Sequence, residues 1–313
     1  MWSEQVFLLC ENRICEGWRV AHFQWKRVSM NEDHHGIVTQ PLDAQRLLVC
    51  DIVWLSRHVP IFPVDRLMAL DEVDRLRRAA PYRVGWSAIF AKAFAMVARE
   101  RPALRSWYVP RPLLRPWRRP CWATSPVSVV SMAISRHRDG AMLGSHSSEE
   151  LDPEAIYWAR IREPDAIPLV ALQATITHYA TAPLADVFAR QLELSVLPRW
   201  LRRLILRWNV HSTSAKRPLR VGTFSLSTLA GEGCANRMHP TFLTTSLSFA
   251  PLDEGGRMNV TLLADHRLLD GVPAARALVA LEAAITGPIA AELAQLSVSA
   301  PAANAGEDRF LHG

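Results

Sequence analysis

A chain of 313 residues, 49% hydrophobic and 21% charged, has the apolar material for one large core or two modest ones. Lysine and arginine outnumber aspartate and glutamate by 36 to 30, so the surface suits anions such as phosphorylated cofactors, acidic partners or anionic lipid. Cys10, Cys15, Cys50, Cys121 and Cys234 show no CxxC spacing, no apolar run reaches the roughly 18 residues of a spanning helix, and the N-terminus lacks a signal-peptide pattern; a cytoplasmic protein with free thiols and no metal is expected.

Residues 1–39 read as an N-terminal extension without steady periodicity, with Met30 a candidate biological start and His34-His35 a solvated pair. A single domain is expected over 40–297, followed by a disordered tail at 298–313. Gln40 to Val59 forms one element, carrying Arg46. Val59 to Val64 is extended and edge-like, because Pro60 and Pro63 cannot donate to a ladder. Asp65 is expected to cap a helix running to about Ala80, and a second helix covers Ser87 to Arg101.

Trp107 to Trp122 mixes aromatics, arginines and prolines and reads as a rigid irregular loop or as a contact surface for an anion or lipid headgroup. Strands are expected at Pro126 to Ser135 and Pro168 to Thr175, with a helix opened by Asp152-Pro153 between them, a pattern that argues for a mixed α/β layer. His178 follows the second of these strands, as an edge residue or a residue facing a site. Beyond a helix from Pro183 to Leu194 comes a basic amphipathic stretch. Its Trp200, Leu201, Leu204, Ile205 and Trp208 share one side of a helical wheel, with Arg199, Arg202, Arg203 and Arg207 around the remainder. Such a helix packs on a core, docks a partner or lies on an anionic membrane.

Strands follow at Leu219 to Leu226, Leu243 to Phe249 and Met258 to Ala264, the last two joined by the turn Asp253-Glu-Gly-Gly256. The final strand stops on Asp265-His266, turns, and gives way after Gly271 to a helix reaching about Leu296. His266 can be a solvated turn residue, with Asp270-Gly271 a helix entry. It is also placed as a fixed catalytic base would be, held by backbone on both sides.

Two of these stretches resemble one family. Asp265-His-Arg-Leu-Leu-Asp-Gly271 is similar to the active-site signature of the E2 acyltransferases of 2-oxoacid dehydrogenase complexes, relatives of chloramphenicol acetyltransferase. Gly222-Thr-Phe-Ser-Leu-Ser-Thr-Leu229 resembles that family's GTFTISNLG motif, with Thr228 in place of its asparagine and Ala230 in place of its closing glycine. The resemblance implies an α/β, chloramphenicol acetyltransferase-like fold, a mixed and largely antiparallel sheet covered by helices, with the active site at a trimer interface. It implies His266 as general base for the thiol of coenzyme A or dihydrolipoamide, Ser227 as hydrogen-bond donor to the oxyanion, Asp270 as a structural partner of an N-terminal arginine (Arg46 the candidate), and Gly271 as the residue that permits the turn.

The function so implied is acyl transfer between a thioester and an acceptor. Acyl-CoA is then a substrate, any lipoyl group comes from a lipoyl-bearing protein in trans, and the chain forms a homotrimer or a larger multiple of trimers. The alternative expectation is a trimeric scaffold or membrane-associated adaptor in which catalysis is demoted, with Trp200, Arg202, Arg203, Arg207 and Trp208 as its surface. Nucleic-acid binding has only net charge behind it.

Overall fold

The computed structural model describes residues 31–32, 38–39, 42–111, 117, 119–137 and 154–298. The expectations for residues 1–29, for His34-His35 and for the tail beyond 298 lie outside the described residues. The chain divides into two units, 1–43 and 44–313. In the first, Asn31–Glu32 pairs antiparallel with Val38–Thr39.

The second unit is built on a six-stranded sheet. Its elements are α1 (Ala44–Ser56), β1 (Ile61–Ala69), α2 (Asp71–Ala79), α3 (Trp86–Glu100), β2 (Ser106–Val109), β3 (Cys121–Thr124), β4 (Val129–His137) and β5 (Glu154–Arg162). There follow α4 (Leu169–Thr181), α5 (Leu184–Val187), α6 (Ala189–Ser195), α7 (Arg199–His211), α8 (Arg217–Val221), β6 (Phe224–Leu226), β7 (Thr245–Phe249) and β8 (Arg257–Asp265). The last helix is α9 (Gly271–Ala284), which passes through a π-turn at Ile285–Ile289 into α10 (Ala290–Val298).

Strand order is β1-β8-β7-β6-β4-β5, antiparallel throughout except that β6 runs parallel to both of its neighbours. This is the mixed, largely antiparallel sheet that the sequence implies. Pro63 sits in β1, an edge strand, as its missing donor requires.

Strand alternation separates the two faces of the sheet. Phe224, Leu226, Leu247, Phe249, Val260 and Leu262 point into the main core. There α3 meets them with Phe90 stacked on Phe249 at 4.5 Å and Phe94 tilted on Phe224 at 4.8 Å. By composition Gly271–Ser297 is long and apolar enough to cross a bilayer. In this fold it is a core helix: Leu278, Leu281, Ile285, Ile289 and Leu293 are buried, Glu282 pairs with Arg66 of β1 at 2.5 Å, and Glu292 pairs with Lys92 of α3 at 2.7 Å.

Five expectations are corrected. Asp65 lies inside β1, because nine consecutive residues of β1 pair with β8, and the helix it was to cap begins at Asp71. Where a helix was expected after Pro153, β5 pairs along its whole length with β4. The expected strand at 168–175 is instead α4, which buries Leu169 and Leu172 and receives Glu292 on the Leu169 amide at 2.7 Å; His178 is an exposed residue of this helix. Around Trp107 to Trp122 the ends are regular, β2 pairing with β3. Leu219 to Leu226 is only half strand, since α8 precedes β6.

Candidate active site

Val260 to Ala264, the apolar centre of β8, is buried between β1 and β7, so the strand end is fixed. The Asp265 amide donates to the Thr244 carbonyl at 2.8 Å and the His266 amide to the Pro60 carbonyl at 2.9 Å. Leu268 and Leu269 both donate back to the Asp265 carbonyl at 3.0 Å, closing the turn. Phe62 of β1 lies under the imidazole, centroid to centroid 4.7 Å. The His266 side chain is 58% exposed, so a backbone-fixed imidazole is presented to the outside.

Asp270 stands beside it, its Oδ1 3.4 Å from His266 Nδ1. A carboxylate there favours the tautomer with hydrogen on Nδ1 and leaves Nε2 as the lone-pair nitrogen. Within this chain the Asp270 carboxylate thus faces His266, and Arg46 lies partly buried on α1. The arginine that holds this turn is Arg267. Its guanidinium grips buried Asp265 through Nε at 2.9 Å and Nη2 at 2.7 Å, and it lies 4.3 Å over the Tyr108 ring.

Gly271 opens α9 without a positive φ, and a Cβ there would meet nothing within 4 Å. The turn accordingly does not depend on glycine at 271. Gly222 is the glycine its backbone demands: φ is 96° and an added Cβ would lie 2.8 Å from that of Ser131.

Ser227 follows the end of β6. Its amide donates to the Leu247 carbonyl at 3.0 Å, and its hydroxyl has no partner among the described residues. Thr228, at the motif's asparagine position, closes the next turn by donating to the Phe249 carbonyl at 2.8 Å and accepting from the Ala230 amide at 3.1 Å.

Register shows that Ser227 and His266 of one chain do not meet. Leu226 is level with Leu247 and Leu247 with Leu262, which puts Ser227 level with Thr261, two strands away from β8. His266 lies five residues farther along, so the two are separated by about 17 Å along the strands and about 10 Å across them.

Beside the turn, Tyr108, Pro120, Cys121, Trp122, Arg267 and Leu268 line an open cleft of about 330 Å³. A cationic flank backs it. Burial lowers the basicity of His211, as do Arg207, Arg267 and Arg217 around it; a hydrogen bond to the Tyr108 backbone works the other way. Arg217, buried and without a carboxylate partner among the described residues, is pushed down to about 9 by desolvation; it lies 4.3 Å over the Trp107 ring and donates to the Gly222 carbonyl at 2.7 Å. Sequence reasoning passed over Tyr108 and Arg267, although Arg267 sits inside the motif it singled out.

The sheet face opposite the core is polar and is crossed by residues 234–244. Ser248 donates to the Asn236 carbonyl, Arg237 pairs with Asp65, and His239 Nε2 is 2.5 Å from Ser246 Oγ, which also accepts from Ser225 at 2.5 Å. Burial pushes the His239 pKa down to about 4 from 6.5. Between these values the unfolded chain binds a proton that the folded one does not, so stability falls as pH drops through that window and levels off below about 4. The expected loss is on the order of 2–3 kcal/mol, and His239→Asn should flatten that slope in urea unfolding at pH 7 and about pH 4.

No protein-family profile and no curated protein matches the chain. Solved structures do, and they show the fold, that of the catalytic cores of 2-oxoacid dehydrogenase complexes. One similar structure is a probable dihydrolipoamide acetyltransferase from Listeria monocytogenes, 18% identical, TM-score 0.53, matched over 80% of this chain and 95% of that one. Another is the truncated catalytic core of a 2-oxoacid dehydrogenase multienzyme complex from Thermoplasma acidophilum, 15% identical, TM-score 0.54, matched over 80% and 99%. A third is the dihydrolipoamide acetyltransferase of Azotobacter vinelandii, 17% identical, TM-score 0.55, matched over 83% and 95%, from a study of a serine, a histidine and an asparagine in its mechanism.

Proposed function

We propose that this protein is an acyltransferase that moves an acyl group between a thioester and an acceptor, with coenzyme A as a carrier and any lipoyl group supplied by another chain. The observation that carries the proposal is His266 itself: a solvent-facing imidazole fixed by backbone, with a carboxylate 3.4 Å from Nδ1. Nε2 of His266 takes the proton from the acceptor thiol, and the thiolate attacks the thioester carbonyl. A tetrahedral intermediate forms, its oxyanion accepting a hydrogen bond from Ser227. Collapse expels the original thiolate, which recovers the proton from the imidazolium. Arg267, which lines the cleft beside the His266 turn, suits the phosphates of coenzyme A.

Because Ser227 and His266 stand far apart in one chain, a working site takes each from a different chain, as in a trimer with sites at its interfaces. The test is release of free thiol from a panel of acyl-CoA donors and acceptors. Ser227→Ala is expected to lower kcat about 10²–10³-fold, the cost of one oxyanion donor. Refolding His266→Ala and Ser227→Ala chains together should restore activity at about one site in four, by random pairing. Wild-type rates in the His266→Ala protein would instead remove His266 from the mechanism. No recovery in the mixture, with both single variants impaired, would remove the shared site.

A further inference from the structure

The feature that acyl transfer leaves unused is the outer face of α7. Trp200, Leu204 and Trp208, at positions i, i+4 and i+8, form a single row, and they are 69%, 57% and 58% exposed. Val196, just before the helix, is 70% exposed. Large apolar side chains stacked this way along about 12 Å of helix are a ridge, not scattered surface residues. The adjacent row, one position earlier, is Arg199, Arg203 and Arg207.

Charge around the ridge is one-sided. Helix α7 contains four arginines and no acidic residue. The carboxylate that approaches them is Asp51, buried beneath the helix and bound to Arg202 and Arg203, with Arg199 4.0 Å away. Arg207 is exposed and has no carboxylate partner among the described residues. One correction to the sequence-based surface follows: Arg202 is not part of the exposed face but its anchor, with 3% of its side chain exposed.

We infer that the α7 ridge is a docking surface for an anionic membrane. Tryptophan rings partition to the headgroup level, leucine goes below it, and guanidiniums on long stems remain with the phosphates. A convex ridge needs no groove to receive it, and a fluid bilayer supplies none. A second copy of this face would bring arginine against arginine, which disfavours self-association through it. The inference is independent of catalysis, since none of these ridge residues belongs to the His266 turn or to the Ser227 motif.

Flotation of the full chain with vesicles tests it. Phosphatidylcholine mixed with an equal part of phosphatidylglycerol should carry the protein at low salt, phosphatidylcholine alone should carry much less, and added salt should release it. Arg207→Glu should weaken partitioning about fivefold or more, the effect of one cation near an anionic surface. The pair Trp200→Ser and Trp208→Ser should abolish flotation while leaving circular dichroism and thiol release unchanged. Absence of flotation by the wild type, or equal flotation by the tryptophan variant, overturns the proposal. Loss of a wild-type multimer in that variant, with flotation unaffected, also overturns it and assigns the ridge to contacts between copies.

Discussion

His266→Ala is expected to lower thiol release about 10²–10⁴-fold, the usual range for removal of a positioned general base, with the KM for acyl-CoA little changed. The imidazole is the side chain with access to solvent and a lone pair at the end of β8, whereas buried Asp265 is engaged by Arg267 and carries no free lone pair toward solvent. Asp270 acts through His266 as a positioning residue. Asp270→Ala should therefore cost less than His266→Ala, and Asp270→Asn should recover much of the difference, because an amide oxygen also accepts from Nδ1–H. An Asp270→Asn variant as slow as Asp270→Ala would show that charge, not tautomer orientation, is what the residue supplies.

The β8 turn and its helix were legible because every level agreed: an apolar strand, an Asp-His stop, an Asp-Gly helix entry and a long apolar helix. Edge strand β1 was legible from Pro60 and Pro63. Elsewhere local signals competed with tertiary ones. Thr175, Ile176 and Thr177 favour a strand by propensity, yet packing on α3 and the Glu292 carboxylate at the Leu169 amide make α4 a helix. Likewise Asp152-Pro153 signals a helix start, but β5 follows because its alternating residues complete a ladder with β4. Separation of Ser227 from His266 was out of reach of any motif. It depends on strand order and on β6 running parallel to its neighbours, both set by residues far apart in the chain.

The same limit governs Arg202, and it leads to the largest expected effect on stability. A helical wheel places Arg202 among the polar residues of α7, whereas its partner lies 151 positions away on α1. Asp51 is 1% exposed; Arg202 binds one of its oxygens through Nε and Arg203 the other at 2.6 Å, while Arg202 Nη1 donates to the Ser195 carbonyl at 2.9 Å. Asp51→Ala leaves a guanidinium buried without its counter-charge and is expected to cost about 3–5 kcal/mol in urea unfolding, with Arg202→Ala in the same range. Arg203→Ala should cost less, since a partly exposed group is screened by water. Arg207→Ala, at an exposed position, should be close to neutral. Replacing both buried members together, Asp51→Leu with Arg202→Met, removes the uncompensated charge and should recover most of the loss. If the double variant is no better than either single one, the interior arrangement depends on the carbonyls that Arg202 collects, not on the ion pair. In either case the anchoring of α7 is measured, and with it the rigidity of the row that Trp200, Leu204 and Trp208 present.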